Sequence, residues 1–483
     1  MKTAYLVLGN QLLRNHPAAA AKPGELVIMI EANDLCHSRN YHKHKLILII
    51  AAMRNYRDFL ISKKIEVEYV EISESNTFKD DLAQIITSTK ITQLEWMRTS
   101  DIGPHERLVQ LCKKMGVGFA VHPNGQFMTS RSDFQDWYGS QKHPLMEQFY
   151  HWQRRRTGIL MDGDKPVGGK WNFDADNRKP LPKSGVEIPS FPSPRHDAHT
   201  RDVMATVERL FPRNPGKAAN FWLPADFATA DKWLDSFIET RLAQFGPYED
   251  ASRSGEPFLF HSVLSPLINS GLLTPELVVS RAVKAYENGS APLNSVEGFV
   301  RQIIGWREYM YGMYVQMPEL MDKNYFEFTK PLEDWWYDET YRDQPLPIPV
   351  KEVLATLHQY GYNHHIERLM VLGNWFLLNE YDPKSVYTWF SSMYVDAYEW
   401  VMVPNVQGMS QYADGGVIAT KPYISGGNYL QKMGSWWPNM DQARSSDFNT
   451  LYWKFLNAHK DKLQDNFRMK MILKLAEKMS HEE

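Results

Sequence analysis

Cysteine is nearly missing from this chain: Cys36 and Cys112 are the only two in 483 residues. Two thiols cannot build a disulfide framework, nor, from this chain alone, a four-thiolate metal or iron–sulfur site. They suit a reducing, cytoplasmic setting. Long apolar runs are missing too, and no stretch nears the roughly 18 residues of a membrane span. The opening run MKTAYLVLGNQL breaks at Gly9-Asn10, too short for the apolar region and cleavage site of a signal peptide. An excess of one charge is also lacking, since the formal net charge is −3. Any nucleic-acid site must therefore be a local cluster of Lys and Arg.

Aromatic residues, by contrast, abound: 15 Trp, 24 Tyr and 23 Phe. Each ring alone reads as core filler about as readily as anything else. Together they suit a protein that stacks planar groups or passes electrons between rings. The length predicts two or three domains. Residues 1–135 alternate short apolar runs, at 5–8, 26–30, 67–72 and 118–122, with helical stretches at 41–63 and 105–115. That alternation predicts an α/β domain with a parallel, Rossmann-like sheet. Ligands of such sheets lie beyond the carboxyl ends of the strands, where Gly9, Gln11 and Glu31 stand. The repeated glycines of a dinucleotide fingerprint are not there.

Residues 136–200 change character, with eight Lys/Arg against four Asp between 151 and 183, then a Pro-rich tract from Pro180 to Pro194. A solvated interdomain linker explains the charge, while Trp171 and Phe173 among it favour contact with nucleic acid. Residues 201–483 read as an all-α domain. Thr274-Pro275 and Asp382-Pro383 look like helix caps followed by Pro, and 296–314 and 353–378 carry apolar residues at helical spacing.

Three segments of this half are dense in polar and aromatic groups. In FHSVLSP at 260–266, hydroxyls precede a helix, a pattern that suits phosphate binding or ordinary capping. In RQIIGWREY at 301–309, Gln302 and Trp306 share a helical face, with Arg301 and Glu308 on others. The third carries His364-His365. Adjacent residues of a helix point about 100° apart, so two such imidazoles rarely both serve packing, and in a regular helix they cannot both face one ion. No third ligand is evident in the sequence, so no metal is expected. His365 and Arg368, at i and i+3, can address one ligand together.

With GWREY at 305–309, NHHIERLM at 363–370, YVDAYEWVMVPNVQGM at 394–409, and ADGG and KPY within 413–423, the chain resembles the photolyase/cryptochrome family, in its prokaryotic (6-4) photolyase branch. LVLGNQL at 6–12, VGGKWNFDADNR at 167–178 and ATVERLFP at 205–212 extend the resemblance over nearly the whole chain. It implies a light-driven carbon–carbon lyase acting on ultraviolet-damaged DNA, with FAD in the helical domain and a 6,7-dimethyl-8-ribityllumazine antenna in the α/β domain. By resemblance, His261, Ser262, Leu264 and Ser265 line the FAD phosphates, and Arg307, Arg368, Asp396 and Asn405 contact the flavin, Arg368 pairing with Asp396. His365, beside His364, is the implied proton donor for a (6-4) lesion, which Trp306, Tyr423 and Tyr429 face. Trp389 and Trp336 carry electrons from the surface. Gly9, Gln11 and Glu31 hold the antenna, and Lys142, Arg154, Arg155, Arg156, Lys170 and Arg178 contact the DNA backbone.

Two departures stand out. The branch normally holds a [4Fe–4S] cluster through cysteines of the C-terminal half, where this chain has none. MGSWWP at 433–438 occupies the corresponding segment, and Trp436 and Trp437 are expected to fill the cluster's volume. Met402 stands where relatives place Asn, Asp or Glu facing flavin N5, and a thioether donates no hydrogen bond. The expected protein is a monomer, with Mg2+ near Asp174 and Asp176 as an aid to DNA binding. A blue-light receptor of cryptochrome type and a cyclobutane-dimer photolyase are the alternatives.

Overall fold

A computed structural model describes residues 2–193 and 195–479, side chains through Lys478. Met1, and Pro194 at the end of the Pro-rich tract, lie outside the described residues. Five strands form one parallel sheet in the order β3-β2-β1-β4-β5: β1 Thr3–Leu6, β2 Leu26–Ile30, β3 Glu66–Val70, β4 Gln93–Met97 and β5 Gly118–His122. The interior strand β2 reads LVIMI and is buried throughout, as a strand covered on both faces must be. β4 has no counterpart among the expected strands. Its sequence QLEWM carries Glu95, which the sheet accommodates by pairing it with His122 on β5 at 2.8 Å. The helix Lys43–Ser62 covers one face, and Phe78–Thr89 and Ile102–Met115 cover the other.

The core under Lys43–Ser62 does not stop at the α/β domain. Val27, Leu46 and Ile50 share one apolar cluster with Val203, Phe237, Leu267 and Val300. The expected linker also contributes to it. The helix Met146–Thr157 buries Phe149 and Tyr150 completely, and Tyr150 donates to Glu297 at 2.9 Å. Both expected Pro-headed helices form, with Thr274 and Asp382 as N-caps. The stretch 353–378 is not one helix. Ile348–Tyr360 ends at Gly361, whose φ of +67° favours glycine, and a new helix starts at His365.

A buried lysine ties the two domains together. Lys45 Nζ donates to Ser391 O at 2.9 Å and to Ala397 O at 2.6 Å, with the Tyr41 and Tyr398 rings beside it. Burial pushes it down to about 7, against the pull of Asp396. A neutral amine still has the two N–H groups that those two carbonyls require. Trp436 and Trp437 are buried in the helical core, and Trp437 is fixed through N and O to the Gln431 amide, both at 2.8 Å.

Two outcomes follow. The unfolded chain keeps the Lys45 proton up to its ordinary pKa while the native state releases it above about 7, so stability rises with pH from about 7 to 9, by up to ~1.4 kcal/mol per pH unit. Lys45→Met should flatten that rise in denaturant melts, and an equal rise in the variant contradicts the assignment. Trp436→Ala should cost ~3–5 kcal/mol, read as a fall in Tm, and a neutral result denies this ring a packing role.

Candidate functional site

Among the described residues of the helical domain, three segments are wide, π-helical turns: Arg301–Arg307, Glu367–Gly373 and Val403–Ser410. Such turns are rare and concentrate at functional sites, and these hold Arg307, Arg368 and Asn405. Nothing in the residue pattern announces them. They overturn the face assignments made for a 3.6-residue repeat, so Gln302 and Trp306 are not a regular i, i+4 pair. Arg368 and His365 likewise address different partners.

Arg368 makes a two-pronged pair with Asp396, at 2.9 Å to Oδ1 and 3.0 Å to Oδ2, and its Nε donates to Asn363 O at 2.7 Å. Its guanidinium is flanked by the Tyr362 and Tyr394 rings, 4.7 and 4.2 Å from their centres. Burial works against the charge on this arginine, and the Asp396 carboxylate outweighs it, so its pKa is raised. Ser265 donates its hydroxyl to Asp396 Oδ2 at 2.6 Å. That corrects its expected phosphate role, because the hydroxyl hydrogen is no longer there to donate. Asn269 Nδ2 holds the Asp396 carbonyl at 2.9 Å, and its amide oxygen faces Arg307 at 3.5 Å. Arg307 stacks between Phe127 and Trp400, and burial lowers it to about 10 despite Glu308.

His261 sits on a strained loop, with Leu259 at φ +42° and Val263 at φ +52°. A β-branched residue with φ in that range is an outlier of the kind found at functional sites. The loop places the His261 ring flat against His364, centres 4.5 Å apart and planes 8° from parallel, and His365 meets it edge-on at 5.5 Å. A third imidazole is thus present, contrary to expectation: ring nitrogens of His261, His364 and His365 lie within 4.8 Å of one another. Parallel stacking still argues against an ion, because in-plane lone pairs of stacked rings do not converge. Burial, then the neighbouring His364, His365 and Arg368, holds His261 well below the usual histidine range, so it is a neutral ring.

His365 is half exposed and lies 3.2 Å from Asp250, which Arg178 approaches at 3.9 Å. Tyr423 and Tyr429 are half-buried, both raised by burial, with the charges of Asp250 and Arg178 close by; Tyr429 reaches about 12. Trp306 and Asn405 are half-buried on their π turns, and Asn405 donates to Val401 O. Ser262 gives its carbonyl to Trp233, and Leu264 and Met402 are buried.

Buried polar atoms test whether a cofactor suits this place. His261 Nε2, His364 Nδ1 and Arg307 Nε have no hydrogen-bond partner among the described residues. Buried polar groups are rarely left so. A ligand rich in acceptors, such as the FAD implied by resemblance, fits them.

Other expected roles are corrected. The Glu31 carboxylate is saturated by Arg54 (2.7 and 3.0 Å), the Tyr69 hydroxyl (2.5 Å) and Ile72 N (2.9 Å), which leaves no oxygen for an antenna. Gln11 donates to Arg98 O while its Oε1 has no partner among the described residues. Gly9 lies against Ile49 and Met53 with no room for a Cβ. Arg154 is wholly buried and donates to Ile159, Leu160 and Trp171 carbonyls, so it holds the chain rather than DNA. Arg156 likewise donates to Met128 O. Arg155 lies exposed over the Trp171 ring at 4.6 Å, and Lys142, Lys170 and Arg178 are exposed. Asp174 is held by Arg301 at 2.5 Å and Arg178 at 3.4 Å, a poor position for Mg2+. Trp336 and Trp389 lie 6.1 Å apart, but Trp336 is buried, so it is no surface terminus. Trp335, missed in the sequence, stacks outside it at 4.2 Å, and Tyr394 joins Trp389 (6.2 Å) to Arg368.

Known proteins match this architecture. The family described as "Deoxyribodipyrimidine photo-lyase-related protein" matches residues 5–223. A protein of Agrobacterium fabrum named "(6-4) photolyase" is 37% identical over 97% of this chain and 94% of its own. Among solved structures, a bacterial class III photolyase from Agrobacterium tumefaciens superposes with a TM-score of 0.61 at 16% identity, covering 98% of this chain and 91% of its own. A Synechocystis cryptochrome does so at 0.60 and 13%, over 92% and 88%. Identity sustained over nearly two full lengths is what common descent leaves, and the chain belongs to the photolyase/cryptochrome family, in its (6-4) photolyase branch.

Proposed function

We propose that this protein is a DNA lyase that uses light and FAD to repair (6-4) pyrimidine–pyrimidone photoproducts. The observation that carries the reading is His365, half exposed beside buried His364 and neutral His261. Rearranging a (6-4) bond needs a proton, and imidazole is the side chain able to give and take one near neutrality. Splitting a cyclobutane dimer needs none. The name of the Agrobacterium fabrum relative supports the same lesion.

Bound FAD supplies the photo-excited electron that opens the lesion. The chain's own residues do the rest. Arg368, Arg307, Asn269 and Asn405 bind and orient the cofactor, and Ser262 and His261 line its polar end. Tyr423 and Tyr429 wall the pocket for the two linked pyrimidines flipped out of the helix. His365 holds its proton at Nε2, oriented by Asp250. Tyr394, Trp389, Trp336 and Trp335 form the ring-to-ring route to the surface.

Arg155, Lys142, Lys170 and Arg178 contact DNA phosphates, with any assisting Mg2+ at exposed Asp176. A lumazine antenna uses the free Gln11 Oε1, which selects a ligand group with an N–H or O–H to donate. The buried Trp436 and Trp437 stand in place of an iron–sulfur cluster. A cytoplasmic monomer completes the reading. Among the described residues no helix is long and apolar enough to cross a membrane.

Under blue light, a (6-4)-containing oligonucleotide should be repaired by the wild type, and on the order of 10²-fold more slowly by His365→Ala with FAD retained. No repair despite bound, photoreducible FAD moves the protein to dimer repair or to light reception. Arg155→Ala should weaken binding to all DNA sequences alike and lower the salt slope by about 0.9. Arg154→Ala should lower Tm instead. Equal salt-slope losses in both variants contradict the division.

A further inference from the structure

His364 is fully buried and packed under His261, so it has no contact with solvent on the side that His365 faces. Its Nε2 turns away from the exposed rim, 3.1 Å from Ser252 Oγ and 3.4 Å from Glu367 Oε1. Glu367 is only 3% exposed, and its other oxygen accepts from Asn363 at 3.0 Å. Yet Glu367 forms part of the wall of a cleft of about 260 Å³, which Trp436 also lines. The mouth of that cleft is made by exposed Arg253, Ser254 and Gln359. At ~30 Å³ per molecule, the cleft holds several waters. Neither His365 nor Tyr423, Tyr429 or Arg178 lines it.

From this geometry we infer that Glu367 is the proton gate of His364, passing protons between water in the cleft and His364 Nε2 while DNA covers the His365 face. The inference rests on the reading of the histidine pair as the proton donors of repair. A lesion seated on His365 closes the access to solvent that this ring has in the free protein. The pair must still end each turnover with the protons it began with. The step is a proton transfer alone. The Glu367 O–H bond breaks as an N–H bond forms at His364 Nε2, and the carboxylate regains its proton from cleft water. His364 Nδ1, which has no partner among the described residues, is the atom that passes a proton onward. Glu367 acts through His364 and is a positioning residue for the reaction. The charged and titratable groups around the two are Arg368, Tyr362 and Tyr394 beside Glu367, Arg253, Glu256, Glu352 and Tyr360 around the cleft, and Asp250, His261 and His365 beside His364, with Glu249 next to His365.

The test compares wild type, Glu367→Gln and Glu367→Asp in repair of a (6-4) oligonucleotide, across about pH 6 to 9 and in D2O. FAD content and lesion affinity are measured alongside. Glu367→Gln should keep FAD and lesion binding, lose repair rate by on the order of 10²-fold and change the pH profile, and Glu367→Asp should restore part of the rate. A wild-type rate and profile in Glu367→Gln overturns the inference, as does equal loss in both variants together with lost FAD. If the wild type repairs no (6-4) lesion, the functional reading falls by itself. The gate is then judged by 15N NMR of His364 in the DNA-bound protein. Slower exchange of its Nε2 proton with water in Glu367→Gln sustains the gate, and unchanged exchange overturns it.

Discussion

The site depends on one buried ion pair, Arg368 with Asp396. Two charges taken out of water lose several kcal/mol of hydration each, and recover it only with good geometry and further hydrogen bonds. Here every requirement is met by a different part of the chain. Ser265 and Asn269 hold Asp396 from the loop and short helix that follow His261, Asn363 holds Arg368 from the break before the π turn, and Lys45 reaches over from the α/β domain to the carbonyl of Ala397. Removing either partner strands the other charge, so the pair acts as a constraint. The elements that meet there have one arrangement that leaves no buried charge alone.

That constraint explains why the two domains share a core rather than merely touching. Lys45 can meet the carbonyls of Ser391 and Ala397 only if the helix Lys43–Ser62 is pressed against the helical domain. Gly271 makes the same demand from the other side. Its φ of +91° suits glycine, and a Cβ there would meet the backbone of Leu12 at 2.7 Å. The loop after β1 therefore ends against the short helix Ser265–Ser270, with Leu12 N bonded to Ser270 O. What is sequence-adjacent to the expected antenna residues is structurally adjacent to the residues that hold Asp396.

Much of this was legible in the residues, and what escaped did so for physical reasons. Short apolar runs announced four of the five strands, and capping residues followed by Pro announced the Pro-headed helices. The apolar signal missed β4, whose Glu95 breaks the run and is satisfied by a partner on another strand. The Arg368–Asp396 pair and the His364-His365 dipeptide could be named from motifs. The π turns could not, because a single extra residue per turn leaves the composition unchanged. Glu31 and Arg154 were misread for a common reason. A polar residue at a strand end or in a basic run looks available in sequence, and only the fold shows that Arg54, or the carbonyls of Ile159, Leu160 and Trp171, already consume it.

The remaining polar and aromatic groups divide by what they can carry. From Arg368, rings lead through Tyr394 and Trp389 to Trp336 and Trp335, with centre-to-centre steps of 4.2 to 6.2 Å, and Glu333 accepts the Trp336 indole N–H at 3.0 Å near the outer end. From the same π turn, Glu367 leads through His364 toward His261 and His365, a path of groups that exchange protons. Burial holds Tyr394 well above the ordinary phenol range, so it keeps its proton and takes no part in the proton path. The proposed electron route therefore lies on one side of the turn and the proposed proton route on the other. The ring route ends beside the half-exposed Glu333 carboxylate, which offsets a positive charge passing along the rings, while at its inner end Arg368 and Asp396 already neutralise each other.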